Sequence, residues 1–211
     1  MIEGSLRTSG AVSAKVMRAP RAPVMWRLSN ALRWAYIKAW IGVMIFAPIA
    51  RRFGLMIAWG ELSIVLVKRD GRRIQYGVVS RRLVTDAFVA YVVDDWDGGA
   101  NVIDLFNYHG CGTGTTAEAA GDTALVTEST TALNPDSTRA TGTKSQPAAN
   151  QMRSVGTVTF DASAAITEHG VFTQAATGGG TLMDRSVFSA INVASGDSIQ
   201  FTYTLTLSSG G

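Results

Sequence analysis

The sequence is poor in cysteine and histidine, with one Cys and two His among its 211 residues. A lone cysteine, Cys111, excludes an intrachain disulfide and a four-cysteine zinc site. Charged residues are a modest 17%, whereas apolar residues make up 46% and glycine is frequent at 22 residues. This composition is that of a folded protein, and the glycines, with many Thr and Ser, favour short strands joined by turns.

Charge of one sign is scarce in each part of the chain. Residues 1–82 contain 15 Lys and Arg against 3 Asp and Glu, whereas residues 83–211 contain 4 against 13. A basic arm followed by an acidic body favours association, between copies or with different partners. Simple solvation of two separate surfaces is the alternative that charge alone leaves open.

Alternating apolar and polar residues dominate the last third of the chain. Residues 199–207 are the clearest case, because Ile199, Phe201, Tyr203 and Leu205 alternate with Gln and Thr. Period-two alternation predicts β-strands. In this part of the chain the pattern predicts strands over 155–160, 166–172, 182–188 and 199–207.

The middle of the chain mixes clear and ambiguous patterns. Residues 62–67 and 74–79 are predicted to form a hairpin, and Asp70-Gly71 between them favours a type I′ turn. Residues 83–93 are an apolar run that fits a buried strand or a short helix, and residues 94–99 then predict a turn. A further strand is predicted over 102–108, followed by a glycine-threonine loop over 110–116.

Two segments frame the expected architecture. Residues 26–46 predict a helix that is amphipathic at its start and apolar at its end. Residues 127–150 are nearly free of large apolar groups, which predicts a long surface loop or an arm packed on a neighbour. The expected fold is mainly β, an antiparallel β-sandwich or jelly-roll-like body, with an N-terminal arm and helix over 1–59 and the β-rich domain over 60–211.

An uncharged run over 39–50 leaves membrane contact as an alternative. A membrane span needs about 20 apolar residues, and a run of 10 to 14 is more typical of a buried or interfacial helix. Burial in a protein interface is therefore preferred to a membrane anchor over 34–59. The positive leader before this run is too long for a simple signal peptide.

Residues that could carry chemistry are few. The Gly110-x-Gly112-x-Gly114 spacing lacks both the third glycine of a dinucleotide loop and the Gly-Lys-Ser/Thr of a phosphate loop. The soft or imidazole metal ligands would be His109, Cys111 and His169, with Glu168, but their spacing matches no recognised zinc site. The triplet Asp94, Asp95 and Asp97 lacks the remaining ligands of a calcium loop, so it is expected to solvate a turn. No catalytic residue, metal or cofactor is predicted.

Basic residues occur as adjacent pairs at intervals between 51 and 82, interleaved with aromatic residues. Nucleic acid, acidic lipid and an acidic protein surface each fit such a pattern. Adjacent residues of a strand point to opposite faces, so the pairs do not define one basic groove. Acidic protein partners are preferred to nucleic acid, because the chain itself supplies an acidic body and contains no recognised nucleic-acid motif.

Three stretches carry a resemblance to a known group of proteins. They are Leu83-Val84-Thr85-Asp86-Ala87-Phe88-Val89-Ala90, Phe106 to Ala119 with its Gly110-Cys111-Gly112-Thr113-Gly114 core, and the block from Ile166 to Leu207. Together these resemble accessory virion structural proteins of tailed bacteriophages, over roughly residues 60–211. The resemblance implies a β-rich subunit built for assembly and brings no catalytic residue with it.

The expected function is that of a non-enzymatic virion structural protein, foremost a capsid decoration or cement protein. A head-tail connector or tail component and a membrane-associated protein are the alternatives, and a carbohydrate- or receptor-binding tail-tip module is a weaker one. The major capsid protein or other virion proteins, and further copies in a dimer or trimer, are the expected partners. The virion, after synthesis in the host cytoplasm, is the expected location. Interface candidates are Trp26, Trp34, Trp40, Phe46, Arg51, Arg52, Phe53, Trp59, Arg72 and Arg73.

Overall fold

A computed structural model describes residues 49–50 and 52–209 of the chain. The fold is mainly β, as predicted, with two antiparallel sheets. The elements are β1 Ile57–Val67, β2 Arg73–Leu83, α1 Asp86–Trp96, a 3-10 helix Ile103–Leu105, β3 Tyr108–Gly112, β4 Ala140–Thr141, β5 Thr143–Ala148, β6 Gln151–Thr159, β7 Ala164–Phe172, β8 Leu182–Val193 and β9 Ser198–Ser208. The strand order is β2-β1-β9-β6-β5 in the five-stranded sheet and β4-β3-β7-β8 in the four-stranded sheet.

The predicted strands of the last third are confirmed. Those over 166–172, 182–188 and 199–207 lie within longer strands, whereas the strand predicted over 155–160 begins earlier and ends at Thr159. Strand β9 lies at the centre of the five-stranded sheet, where it pairs with β1 on one side and β6 on the other. Its apolar residues Ile199, Phe201, Tyr203 and Leu205 are buried, as the alternation requires. The buried core draws on both sheets: Leu62, Ile64, Leu66, Val158, Ile199 and Phe201 come from the five-stranded sheet, and Cys111, Ile166, Phe188, Ile191 and Val193 from the four-stranded one.

The hairpin of β1 and β2 is confirmed, but its turn is not type I′. The Gly71 N–H donates to the Lys68 carbonyl, and the Lys68 N–H donates to the Arg72 carbonyl, each at 2.8 Å. Gly71 has φ +82°, whereas Ser137 is the one non-glycine residue with positive φ in the described ranges. A type I′ turn needs positive φ at Asp70 as well, so the loop is a three-residue turn with a glycine bulge.

The ambiguous run over 83–93 ends β2 and then becomes a helix. Thr85 caps α1, because its Oγ1 accepts the Phe88 N–H at 3.1 Å and its backbone is extended. One stripe of the helix, which includes Phe88 and Tyr91, is buried. The helix reaches Trp96 before the turn, where Gly98 adopts φ +80°.

The strand predicted over 102–108 is wrong for most of its length. Residues Ile103–Leu105 form a 3-10 helix, and the strand β3 begins only at Tyr108. The loop predicted over 110–116 is corrected in turn, because Gly110 to Gly112 lie within β3. These glycines are strand residues, and Thr127 and Glu128 of the same chain pack closely against them.

The segment 127–150 is only half a loop. Its second half forms β4 and β5, and β5 pairs with β6 at an edge of the five-stranded sheet. Its first half is anchored by two buried side chains, Leu133 and Arg139. The segment thus packs on its own chain through Leu133, Arg139 and the pairing of β5 with β6. In place of large apolar groups, ion pairs and backbone hydrogen bonds hold this segment to the sheets.

The boundary predicted at residue 60 falls inside β1, which begins three residues earlier at Ile57. The predicted helix over 26–46 lies outside the described residues. Ile49, Ala50 and Arg52 are helical, and the Leu55 N–H donates to the Ala50 carbonyl at 2.9 Å around Gly54, whose φ is +69°. This arrangement ends a helix just before β1.

Candidate functional site

One face of the four-stranded sheet has glycines at positions where most strands carry larger side chains. Gly110 pairs with Gly170, and Gly112 pairs with Glu168. A Cβ at Gly112 would lie 2.2 Å from the Thr127 carbonyl oxygen, and one at Gly110 would lie 2.9 Å from the Glu128 carboxylate. The absence of side chains therefore lets the loop after β3 lie directly on the sheet. These contacts explain why the glycines are in a strand.

Glu168 is the polar centre of this face. Its carboxylate is fully buried and accepts the backbone N–H groups of Gly114, Val126 and Thr127 at 2.8 to 3.0 Å. The Arg185 Nε donates to it at 2.9 Å. A buried carboxylate is stable only when its charge and lone pairs are matched, and here they are. The glycine-threonine segment thus holds an anion supplied by its own chain.

Arg185 extends this network to the loop. Its guanidinium also donates to the Asp122 carboxylate and to the Thr116 carbonyl, both at 3.1 Å. The Arg185 side chain is itself buried. One guanidinium therefore joins β7 to two points of the segment between β3 and β4.

A second buried ion pair holds the same loop further along. Arg139 donates through Nε and Nη2 to the two oxygens of Glu128, at 2.6 and 2.9 Å. Its Nη1 donates to the Gln174 and Gly179 carbonyls, and its guanidinium lies 3.5 Å from the Phe172 ring centroid. Bidentate geometry of this kind gives strong, directional pairing. Both arginines thus stabilise loop structure.

Asp184 lies in a third polar cluster, beside Gly60 of β1 and Tyr203 of β9. Its carboxylate and the Tyr203 hydroxyl both face Gly60, where a Cβ would lie within 2.5 Å of each. Burial raises the pKa of Asp184 to about 7, and nearby Arg82 opposes this shift. Arg82 forms an ion pair with Glu118, which also accepts the Val187 N–H at 3.1 Å. The Tyr203 hydroxyl and the Arg82 Nε are each buried without a well-formed hydrogen bond.

The two histidines, distant in sequence, meet on the face of the four-stranded sheet that carries Cys111. His109 Nδ1 lies 2.9 Å from His169 Nε2, and His109 Nε2 lies 2.8 Å from Ser154 Oγ. If Ser154 donates to Asn107 Oδ1 at 3.5 Å, the His109 Nε2–H donates to Ser154 and the His169 Nε2–H donates to His109 Nδ1. Burial lowers the pKa of His109 to about 4 and that of His169 well below its usual value.

The surroundings of the two histidines and Ser154 favour a structural role for this cluster. A hydroxyl beside an imidazole is the spacing of a nucleophile and its base. Ser154 and His109 are fully buried, however, and His169 stacks on Phe201 with ring centroids 4.4 Å apart. A groove of about 410 Å³ near the turn between β5 and β6 is lined by Met152, Leu205, Leu207 and polar residues, and includes none of these three side chains.

The metal ligands considered in the sequence are only partly brought together. The two imidazoles converge and Cys111 pairs with His169 in register, whereas Glu168 points to the loop side. Within residues 49–50 and 52–209, no three ligand side chains are grouped to hold a metal ion. Cys111 is free and buried, and burial raises its pKa. Asp94, of the acidic triplet, accepts the Asn101 N–H at 3.3 Å. The turn predicted over 94–99 is corrected here, because Asp94 and Asp95 lie in the last turn of α1 and only Asp97 follows the helix.

Each basic pair in the described part of the chain has at least one member neutralised internally. Lys68 pairs with Asp197, Arg72 with Asp70, Arg81 with Glu61 and Arg82 with Glu118. Such pairing neutralises part of the positive charge of the hairpin. The acidic groups that match these bases belong to the same chain.

The candidate functional surface is an exposed apolar face of α1. Val89, Val93 and Trp96 are 51%, 57% and 73% exposed, and their i, i+4, i+7 spacing places them on one stripe. Val102, Ile103 and Leu105, which follow the helix, are also exposed. A contiguous exposed apolar surface is a typical association site.

The predicted interface residues fall mostly elsewhere. Trp26, Trp34, Trp40, Phe46 and Arg51 lie outside the described residues. Arg52 and Phe53 are exposed just before β1, and Trp59 is half-buried within it. Arg72 and Arg73 are exposed at the hairpin, where Arg73 donates to Gln200 at 3.2 Å. The sequence reading missed the α1 stripe, although the apolar run over 83–93 contained part of its signal.

Comparisons of the chain with protein families, with characterised proteins and with solved structures found no match. Within the described residues, no helix has the length and hydrophobicity that crossing a membrane requires.

Proposed function

We propose that the chain is a non-enzymatic structural protein of a bacteriophage virion, a capsid decoration or cement protein that stabilises the head through contacts between subunits. The observation that carries this proposal is the exposed apolar face of α1, formed by Val89, Val93 and Trp96. Isolated exposed apolar residues are ordinary on proteins, but an aligned stripe with neighbouring Val102 and Ile103 favours burial by a partner.

The proposed architecture is a β-sandwich in which the two sheets face each other. Gly156 of β6 supports it, because a Cβ there would lie 2.5 Å from the imidazole of His109 on β3. The shared core and the position of Asp184 beside Gly60 and Tyr203 support the same arrangement. A sandwich with polar links between its layers suits a subunit whose task is mechanical.

The use of charged groups also supports a structural role. Glu168, Arg185, Glu128 and Arg139 are engaged in holding loops to the sheet, through contacts of 2.6 to 3.1 Å. Ser154 and His109 are fully buried. The polar groups with the greatest chemical potential thus serve the interior, and the surface offers apolar contact area.

The test is localisation of the protein on purified particles of the phage that encodes it, with copy number from quantitative mass spectrometry. Many copies spread over the head would support a cement protein. A few copies at one vertex would overturn the cement assignment in favour of a head-tail connector or tail component. Absence from particles, measured against a host protein of similar abundance as the co-purification control, would overturn the virion proposal and favour the membrane-associated alternative.

A further inference from the structure

The apolar stripe of α1 is bordered by acidic residues. Residues 83–108 contain five Asp and no Lys or Arg. Asp86 and Asp97 are exposed and lie within about 80° of the stripe on a helical wheel, at about 100° per residue. Neither forms an ion pair within the described ranges, whereas Asp104 pairs with Lys144. A partner that fits this surface is therefore apolar and basic.

The chain contains one segment of that chemistry. Residues 4–60 include nine Lys and Arg and no Asp or Glu, and residues 26–46 combine Trp26, Trp34, Trp40 and Phe46 with three of these bases. As a helix, the 21 residues over 26–46 would be about 30 Å long, enough to cover the 11 residues of α1. Aromatic residues and arginine are the side chains most enriched in interface centres.

The residues that join this segment to the body add to the exposed apolar surface. Ile49 is 45% exposed and Phe53 is 73% exposed. Leu55 and Met56 are also exposed, up to the start of β1. Exposed apolar side chains at this junction favour association with a further copy.

We propose that residues 26–46 of one copy dock on the α1 face of a second copy, with tryptophan side chains against Val89, Val93 and Trp96 and basic side chains against Asp86 and Asp97. This inference rests on the proposed assembly through subunit contacts and names the contact. Exchange of the segment between copies buries both apolar surfaces at once. The opposite charges of the two surfaces give the contact its orientation.

The test is site-specific photo-crosslinking of the purified full-length chain, with a benzophenone amino acid at position 96. Copies labelled with ¹⁵N are mixed with unlabelled copies, and cross-linked peptides are mapped by mass spectrometry. The expected products join position 96 to residues 26–46 and include mixed ¹⁴N–¹⁵N pairs. No phage particle is present, so the result is independent of where the protein resides in a virion.

Two variants make the test specific. Val93→Asp should reduce the cross-linked fraction at least about tenfold, because a charge is placed in the centre of the contact. Val126→Asp, the same change at a valine 55% exposed on the loop side, should leave the yield unchanged. Cross-links confined to single chains, cross-links that avoid residues 26–46, or equal losses in the two variants would each overturn the proposal.

Discussion

The loop face of the four-stranded sheet and the outer face of α1 reverse the usual distribution of residues. The first buries full charges, with Glu168 and Arg185 both at 2% exposure or less, whereas the second exposes Val93 and Trp96 at 57% and 73%. Buried charges persist where every partner is in place. An apolar stripe that is exposed in the single chain is typical of a surface that a partner covers. The contrast separates a body held together by internal ion pairs from a surface that we propose is covered by a partner.

The largest expected effect follows from breaking the charged interior. Glu168→Gln should lower the free energy of unfolding by about 3 to 5 kcal/mol, because it leaves Arg185 short of a buried counter-charge and sets an amide against three N–H donors. Urea denaturation measures the loss. The matched control is Glu61→Gln, whose Arg81 pair is about one third exposed, with an expected cost below about 1 kcal/mol. Equal losses would contradict the account of the loop face.

The histidine pair makes the interior sensitive to acid. The pKa of His109 is lowered to about 4, so its contribution to stability is present above pH 6.5 and is lost as the pH falls through that range to 4. For a shift of this size the loss is about 3 kcal/mol. Asp184 acts oppositely, because its raised pKa of about 7 makes its contribution largest at low pH and diminishes it as the pH rises.

Asp184→Asn separates these two contributions. Without the opposing carboxyl, stability should fall more steeply between pH 6.5 and pH 4 than in the unmodified chain. Thermal unfolding across this range measures the slope. The exposed Asp161→Asn is the control and should follow the unmodified chain. An Asp184→Asn curve parallel to that of the unmodified chain would show that Asp184 does not oppose the histidines.

A smaller effect is expected where the sheets meet. Gly60→Ala should cost about 1 to 3 kcal/mol of stability, because its Cβ would overlap the buried Tyr203 hydroxyl and Asp184 carboxylate. Gly121→Ala is the control, since nothing lies within 4 Å of its Cβ, and its expected effect is below about 0.5 kcal/mol. Chemical denaturation compares the two, and a neutral Gly60→Ala would weaken the case for tight polar packing between the sheets.

The sequence predicts the interior strands well and the polar interior poorly. Alternation in β9 is a local property, so Ile199 to Leu205 could be assigned without knowing their neighbours. Glu168 is different, because its partners lie 17 to 54 residues away along the chain. Glycines in β3 look like a loop until the segment packed on them is known. The type of turn at Asp70 could not be predicted either, because it depends on whether the loop has two residues or three.

The candidate surface could not be predicted from the sequence for a related reason. Val89 and Val93 belong to an apolar run in which helix and strand could not be distinguished, and only the helix places them with Trp96 on one exposed stripe. A strand would have put neighbouring residues on opposite faces. The choice of element therefore decided which apolar side chains remain outside.

The most direct measurement of the central claim is sedimentation velocity of the full-length chain and its Val93→Asp variant at matched concentrations, with thermal unfolding of both. The account predicts that the unmodified chain sediments as a dimer or larger species and the variant as a monomer. The variant should still unfold in one cooperative transition, because Val93 is a surface residue of the folded body, and any drop in its unfolding temperature should reflect the lost association. A monomeric unmodified chain, or equal association of both proteins, would contradict the claim that the apolar face of α1 is an assembly surface.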